Sequence, residues 1–312
     1  MHVCIVGAGA LGSVYGARLA RFGGCEVSVV ARSAAPAVRE RLERVEDGEA
    51  LAWDVPPRTT EAPRQADVIL AFVRYEQLST LPPRVAASEA PVVVMTPMMP
   101  QDHAELAAAI PGRVLTGMPS VVSYRNDAGA IRYWLPRLAT TFVESREPPA
   151  MESELVARLE RAEMRAKLAP NVLERNVATT VSFIPIAMAL DVAGSVDALL
   201  GNDALLALAL DAAAEGRELG KTVGKAEAWA SMLLKFVGPR TLKMGVGLAR
   251  SRAPEAVLYA EEHFGRKLHA QNVAMAGRML DLARDKGVSA PALAELHARL
   301  GSAAPARRGP ES

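Results

Sequence analysis

Six residues near the start of the chain carry the clearest chemical signal. Gly7-Ala8-Gly9-Ala10-Leu11-Gly12 spells G-x-G-x-x-G. The first glycine of such a pattern admits a tight turn, the second lets the backbone approach a pyrophosphate, and the third allows a helix to pack closely on the preceding strand. Alone the pattern is weak, because glycines punctuate any turn. Its context gives it weight: an apolar run, Val3 to Val6, comes before it, and a helical pattern opens at Ala10. Phosphates placed there would meet unpaired N–H groups and the positive end of the helix dipole. A flavin or a methyl donor would fit the same cradle, and a strand–helix turn that holds nothing is the plain alternative.

The residue that would choose among dinucleotides stands about twenty positions further on. A site for NAD places Asp or Glu there to accept from the ribose 2′-hydroxyl. This chain has Arg32, followed by Ser33. A guanidinium offers paired donors to a 2′-phosphate and nothing useful to a 2′-hydroxyl, so the expectation is NADP(H). A solvated arginine ending a strand is the bland reading.

The elements that must position these residues follow from hydrophobic patterning. Val3 to Val6, Val27 to Ala31, Val68 to Phe72 and Val92 to Met95 are short apolar runs rich in β-branched residues. They read as strands buried on both faces of a parallel sheet. Between the first two, Leu11, Val14, Tyr15 and Leu19 recur at helical spacing before Gly23-Gly24. Strand, helix and strand make a βαβ unit, and the class expected is α/β: an N-terminal Rossmann-type, doubly wound parallel sheet followed by an all-α C-terminal domain. Ile131 to Leu135 and Ala139 to Val143, flanking Pro136, are expected to close the sheet as an antiparallel pair. Past Arg146-Glu147-Pro148-Pro149 the strand patterns stop and Ala/Leu-rich helical patterns take over, among them Glu152 to Leu168 and Asn171 to Val192. The expected domains are 1–148 for the cofactor, 149–300 for substrate and catalysis, and a disordered tail over 301–312.

Composition excludes several classes. The 312 residues are 50% hydrophobic with a formal net charge of +1, which gives no electrostatic reason to bind nucleic acid or an anionic membrane. The two cysteines, Cys4 and Cys25, lie in or beside strand patterns and read as small core residues under reducing conditions. No signal peptide is legible at the start, and Asp191, Asp197 and Asp203 interrupt the most apolar region, so a buried helix and a cytoplasmic location are expected. No zinc-ligand spacing, P-loop or Ser/His/Asp elbow is visible, and no metal is expected.

These features together resemble the ketopantoate reductase (2-dehydropantoate 2-reductase) family. The resemblance rests on Gly7 to Gly12, on Arg32, on Phe72-Val73-Arg74 closing the strand after Asp67, on Lys167-Leu168-Ala169-Pro170-Asn171, and on Gly287-Val288-Ser289-Ala290-Pro291. It implies an enzyme that uses NADPH to reduce a 2-oxo acid to a 2-hydroxy acid in a cleft between domains. Ketopantoate, of pantothenate biosynthesis, is the default substrate, and the partner set is a small molecule with room for a homodimer. By the same resemblance Lys167 is the catalytic lysine and Asn171 a substrate-binding asparagine. Val73 and Arg74 lie by the cofactor, with Arg74 in place of a lysine near its phosphates.

Chemistry gives those roles a reason. Hydride delivery to a carbonyl carbon builds negative charge on oxygen, which a cation or proton donor must meet. Lys167 and Asn171 are four apart, hence on one face of a helix, which Glu174 would continue. Pro170 between them would kink or restart that helix. The bland readings are an exposed helix lysine and an asparagine that caps the restarted helix.

The chain also departs from the family pattern. The loop expected to carry Asn-Gly reads Met95-Thr96-Pro97-Met98-Met99-Pro100, where Thr96 could supply a hydroxyl to the cofactor and the methionines suggest an apolar wall. The serines expected before the last long helix are replaced by approximately Leu258 to Gly265, and the family glutamate aligns with Gln271. His263 could donate to a carboxylate or alkoxide, against the bland reading of a histidine at a helix start. Glu262 could replace the missing carboxylate. The rival functions are reduction of another ketone or an imine, as in opine-type dehydrogenases, and a non-catalytic NADP-binding sensor.

Overall fold

The computed structural model describes residues 1–136, 139–145, 150–226, 238–252, 254–263 and 267–302. The chain forms two compact units, Met1–Leu173 and Glu174–Ser312.

The first unit contains an eight-stranded sheet. Its strands are β1 (His2–Val6), β2 (Glu26–Val30), β5 (Arg58–Thr59), β6 (Val68–Ala71), β7 (Val92–Val94), β8 (Val114–Met118), β11 (Thr141–Glu144) and β12 (Ala166–Ala169), in the order β12-β11-β8-β7-β6-β1-β2-β5. From β5 to β8 every pairing is parallel. β11 then runs antiparallel to β8, and β12 parallel to β11. Every residue of β6 and β7 is buried, as unbroken apolar runs in a covered parallel sheet require. Helix α1 (Ala10–Arg21) crosses from β1 to β2, followed later by α2 (Leu81–Val85), α3 (Pro100–Ala109) and α4 (Ala150–Arg161).

A second sheet, β4-β3-β10-β9, holds β3 (Val38–Arg44), β4 (Ala50–Val55), β9 (Val122–Arg125) and β10 (Ile131–Trp134). The expected pairing of the segments around Pro136 is therefore corrected. β10 pairs with β3 and β9 in this sheet, while β11 pairs with β8 and β12 in the other.

The helix expected over Glu152 to Leu168 stops at Arg161. Glu163 adopts φ 59°, and Met164 N–H bonds back to the Leu159 carbonyl at 3.0 Å, closing the helix with a left-handed residue that is usually glycine. Arg18 of α1, with no exposed surface, holds this turn. It donates to the Ala162 carbonyl at 2.7 Å, to Glu163 Oε2 at 2.5 Å and to Tyr133 Oη at 3.1 Å. The chain can then turn back as β12. That is why the first unit runs on to Leu173, past residue 148, which lies outside the described residues.

The second unit comprises most of α5 (Val172–Ala193), then α6 (Val196–Gly201), α7 (Asp203–Val223), α8 (Pro239–Arg252), α9 (Pro254–Glu262), α10 (His269–Asp285) and α11 (Pro291–Ser302). Glu215 of α7 caps α11, accepting from Ala292 N–H at 2.9 Å and Leu293 N–H at 2.8 Å. Among the described residues one helix, the 22-residue α5, is long and apolar enough to cross a membrane, and 61% of its most apolar stretch is buried within the protein. Gly301 and Ser302 close α11, and 303–312, where a tail is expected, lie outside the described residues.

Candidate functional site

The glycine turn lies at the carboxyl edge of the parallel strands. Gly7 sits at φ 105° and donates its N–H to the Val30 carbonyl at 3.1 Å, tying the turn to the end of β2. A side chain on Gly7 would stand 2.7 Å from the Phe72 carbonyl oxygen, and one on Gly12 only 2.1 Å from the Gly7 oxygen. Both positions are closed by backbone. Gly9 differs: it precedes α1, is exposed, and has nothing within 4 Å of where a Cβ would be. Ala8, Ala10 and Leu11 pack partly buried on the core. No side chain caps the start of α1, and its first turn holds no acidic residue. A helix start closed beneath and open above, with uncapped N–H groups, fits a phosphate.

Two neighbouring segments converge on this turn. Phe72 N–H bonds to the Val6 carbonyl at 2.7 Å, and the Phe72 ring lies 4.8 Å from that of Tyr15. Burial pushes the Tyr15 phenol up to about 12, so it keeps its proton and bonds Thr141 Oγ1 at 2.8 Å. The Thr96 hydroxyl donates to the buried Val73 carbonyl, which ties the loop after β7 to the end of β6. Met98 and Met99 of that loop are themselves fully buried. Asp102 fixes its far end, accepting from Met99 N–H at 2.8 Å and Tyr75 Oη at 2.6 Å. Sequence reasoning missed Asp102, though an acid three residues beyond a helix start is a known capping signal.

The cations are placed separately. Arg32 is exposed just beyond β2, and among the described residues it makes no hydrogen bond or ion pair. Arg74 is half-exposed and lies 3.9 Å from Glu76. Gly7 to Gly12, Val73 and Thr96 thus come together, with Arg32 at the end of the adjacent strand. Burial pushes the Cys4 thiol, beneath the turn in β1, up to about 11, which keeps it an inert core residue.

Lys167 and Asn171 do not share a helix face. Lys167 is an exposed residue of edge strand β12, paired in register with Phe142, which is paired in turn with Met118 at the end of β8. Three strand spacings separate β12 from β7, roughly 14 Å at about 4.8 Å each. Because β12 runs against the parallel strands, Asn171 beyond its end falls toward the edge where β7 and β8 begin. It is exposed, at φ 55°, immediately before α5. No ion pair joins Lys167 and Glu174 among the described residues. A strand lies where a helical face is expected because the turn at Glu163 redirects the chain.

His263 directly follows the end of α9 and has π-helical conformation, and its ring stacks on Tyr259 at 4.8 Å. Glu261 also belongs to the end of α9 and accepts from Val196 N–H at 2.8 Å, at the start of α6. The Glu262 side chain lies outside the described residues. Among the described residues no three His, Cys, Asp or Glu side chains gather as a metal site.

Comparison with known proteins agrees with this architecture. A 2-dehydropantoate 2-reductase from Geobacter metallireducens superposes with a TM-score of 0.72 at 18% identity, covering 97% of this chain and 100% of its own. A dimeric ketopantoate reductase from Staphylococcus aureus gives 0.67 at 14% identity, covering 97% and 98%. D-mandelate dehydrogenase, in a ternary structure with NADH and anilino(oxo)acetate, gives 0.64 at 14% identity and 97% coverage of both chains. At these identities the likeness shows the fold. No curated protein matches the sequence. The sequence of residues 3–141 does match the family model of ketopantoate reductase PanE/ApbA.

Proposed function

We propose that the protein is a cytoplasmic, NADP(H)-dependent reductase that converts a 2-oxo acid to a 2-hydroxy acid. The observation that carries the reading is the contrast within the glycine turn: open space at Gly9, backbone closure at Gly7 and Gly12. The backbone of Gly7 to Gly12 would hold the pyrophosphate, and Arg32 the 2′-phosphate. Val73, Arg74 and Thr96 would flank the rest of the cofactor. Reduced nicotinamide supplies the hydride when bound. The protein's own task is to orient the acceptor and meet the charge that develops on its oxygen. NADPH oxidation against a panel of 2-oxo acids tests the activity, and no turnover with any of them would overturn it.

The acceptor proposed carries a larger or more apolar group than ketopantoate does. The loop Met95 to Pro100 lacks the asparagine of the family pattern, and D-mandelate dehydrogenase, which shares the fold, was captured with an aryl-substituted oxo acid. A homodimer, the form of the Staphylococcus aureus enzyme, is the proposed assembly, and light scattering of the purified chain measures it.

Arg32 sets the cofactor in this proposal. Arg32→Asp is expected to weaken NADPH by about 1.5–3 kcal/mol, the range for a lost charge-assisted contact, and to improve NADH relative to it. Titration of both cofactors decides the point. Equal binding of NADH and NADPH by the unaltered protein would make Arg32 an ordinary surface residue.

Lys167 enters as proton donor through the family resemblance. Its exposure on β12 makes Lys167→Ala neutral for folding, within about 0.5 kcal/mol. A donor role then requires turnover to fall at least about 10²-fold with NADPH affinity unchanged. Retained turnover would leave Lys167 a solvated edge-strand lysine.

A further inference from the structure

Within the first unit, the chain crosses from β2 of one sheet to β3 of the other through residues 31–37, none of them buried, and Arg32 sits on that connection. A surface connection with few contacts of its own samples many conformations unless it is tied. This one is tied twice to the two residues of β5. Ala31 N–H donates to the Thr59 carbonyl at 2.8 Å. Ala35 and Arg58 exchange both of their backbone hydrogen bonds, at 3.1 and 2.8 Å, and Pro36 keeps Ala35 extended. Only Arg32, Ser33 and Ala34 span the interval between the ties, and all three are exposed.

The Arg58 side chain adds a third tie. It reaches from the first sheet to β3 of the second and donates to Glu40 Oε1 at 3.3 Å, an oxygen that Arg125 of β9 shares at 2.9 Å. The Glu40 side chain is 6% exposed. Glu40 Oε2 and Arg58 Nε are buried without a hydrogen-bond partner among the described residues. An ion pair buried with unmet atoms is a poor device for stability, since apolar side chains of similar volume would hold two sheets as well. What the pair fixes is position. Arg58 grips the connection at Ala35 through its backbone, and through Glu40 it grips the strand that the connection enters.

We infer that Arg58 and Glu40 are positioning residues for Arg32 and thereby set the preference between NADPH and NADH. Arginine carries a long, flexible side chain, and ordering it against a phosphate costs less when its backbone is already in place. The charge-assisted contact is then realised more fully. NADH has no 2′-phosphate and gains nothing from the arrangement. The inference rests on the reading of Arg32 given above and adds to it the residues that make Arg32 effective.

The test uses the full chain, with NADPH and NADH titrated separately. Arg58→Met keeps the backbone bonds and most of the side-chain bulk and removes the guanidinium. It is expected to weaken NADPH about tenfold, the upper range for ordering one long side chain, and to leave NADH within about twofold. Glu40→Gln, of the same shape, should act in the same direction and carries the test if Arg58→Met does not fold. Arg58→Lys keeps a cation for Glu40 and should bring NADPH back to within about threefold of wild type. Adding either substitution to Arg32→Ala should cost NADPH nothing further, because a residue that acts through Arg32 then has nothing to position. A merely structural pair would weaken both cofactors together, or add its full loss to that of Arg32→Ala, and either result overturns the inference. If wild type prefers NADPH and both Arg58→Met and Glu40→Gln keep that preference, this inference fails alone. If wild type binds the two cofactors equally, the cofactor reading fails and takes the inference with it.

Discussion

Replacing Gly9 with valine is expected to weaken NADPH binding at least about 100-fold, the loss of one or two charge-assisted backbone contacts, while stability stays within about 0.5 kcal/mol. The reason is the contrast between the two ends of one turn. Nothing lies within 4 Å of a Cβ at Gly9, and its backbone, at φ −75° and ψ 179°, suits any residue. A side chain there meets no protein and fills the space a pyrophosphate would take. Gly12→Ala should do the reverse. Its Cβ would stand 2.1 Å from the Gly7 oxygen and 3.2 Å from Ile5 Cγ2, and neither neighbour can retreat within a buried strand and turn. Overpacking of this kind costs about 3 kcal/mol, and the loss should appear as a lower unfolding midpoint of the apoprotein. Cofactor titration and thermal unfolding of both variants separate the two effects. A Gly9→Val protein that binds NADPH like wild type would show that the turn holds no phosphate.

The parts legible in the sequence are those where one physical cause dominates. β1, β2, β6 and β7 are apolar runs bounded by turn residues, and a parallel sheet buried on both faces needs nothing else. Of the second sheet, β10 is legible within Ile131 to Leu135, whereas β3 is hidden because charge masks its pattern. β3 reads Val-Arg-Glu-Arg-Leu-Glu-Arg, and its inward-facing Glu40 is buried only because Arg58 and Arg125 both donate to it, at 3.3 and 2.9 Å. No periodicity rule counts a glutamate as a core residue. The stop after α4 was hidden for a related reason: a glutamate occupies the left-handed position where glycine would have announced it, held by an arginine 145 positions away. That one turn moved Lys167 from a helix face to an edge strand. Asp191 looked like an interruption in an apolar helix, and only the fold brings His269 and Asn272 to it.

For ketopantoate, kcat/KM is expected at or below about 10³ M⁻¹s⁻¹, against the order of 10⁵ common for an enzyme on its own substrate. A small hydroxylated acid needs each polar group matched, and a buried group left unpaired costs about 1–3 kcal/mol, so two missing partners suffice for the difference. The loop after β7 offers no asparagine, and the Thr96 hydroxyl already donates its proton to Val73. Its own Met98 and Met99 are buried, so the loop has no ready freedom to bring another donor forward. In the second unit Tyr259 stands near the place of the family serines, with burial holding its phenol protonated. Gln271 brings an amide where the family has a charge. Arg74, half-exposed, remains as a cation to engage a carboxylate, which is why some activity toward 2-oxo acids in general should persist. Steady-state NADPH oxidation with ketopantoate and with an aryl-substituted 2-oxo acid, run side by side, measures the ratio. A ketopantoate value near 10⁵ M⁻¹s⁻¹ would mean that these replacements are compensated and that the family's default activity stands.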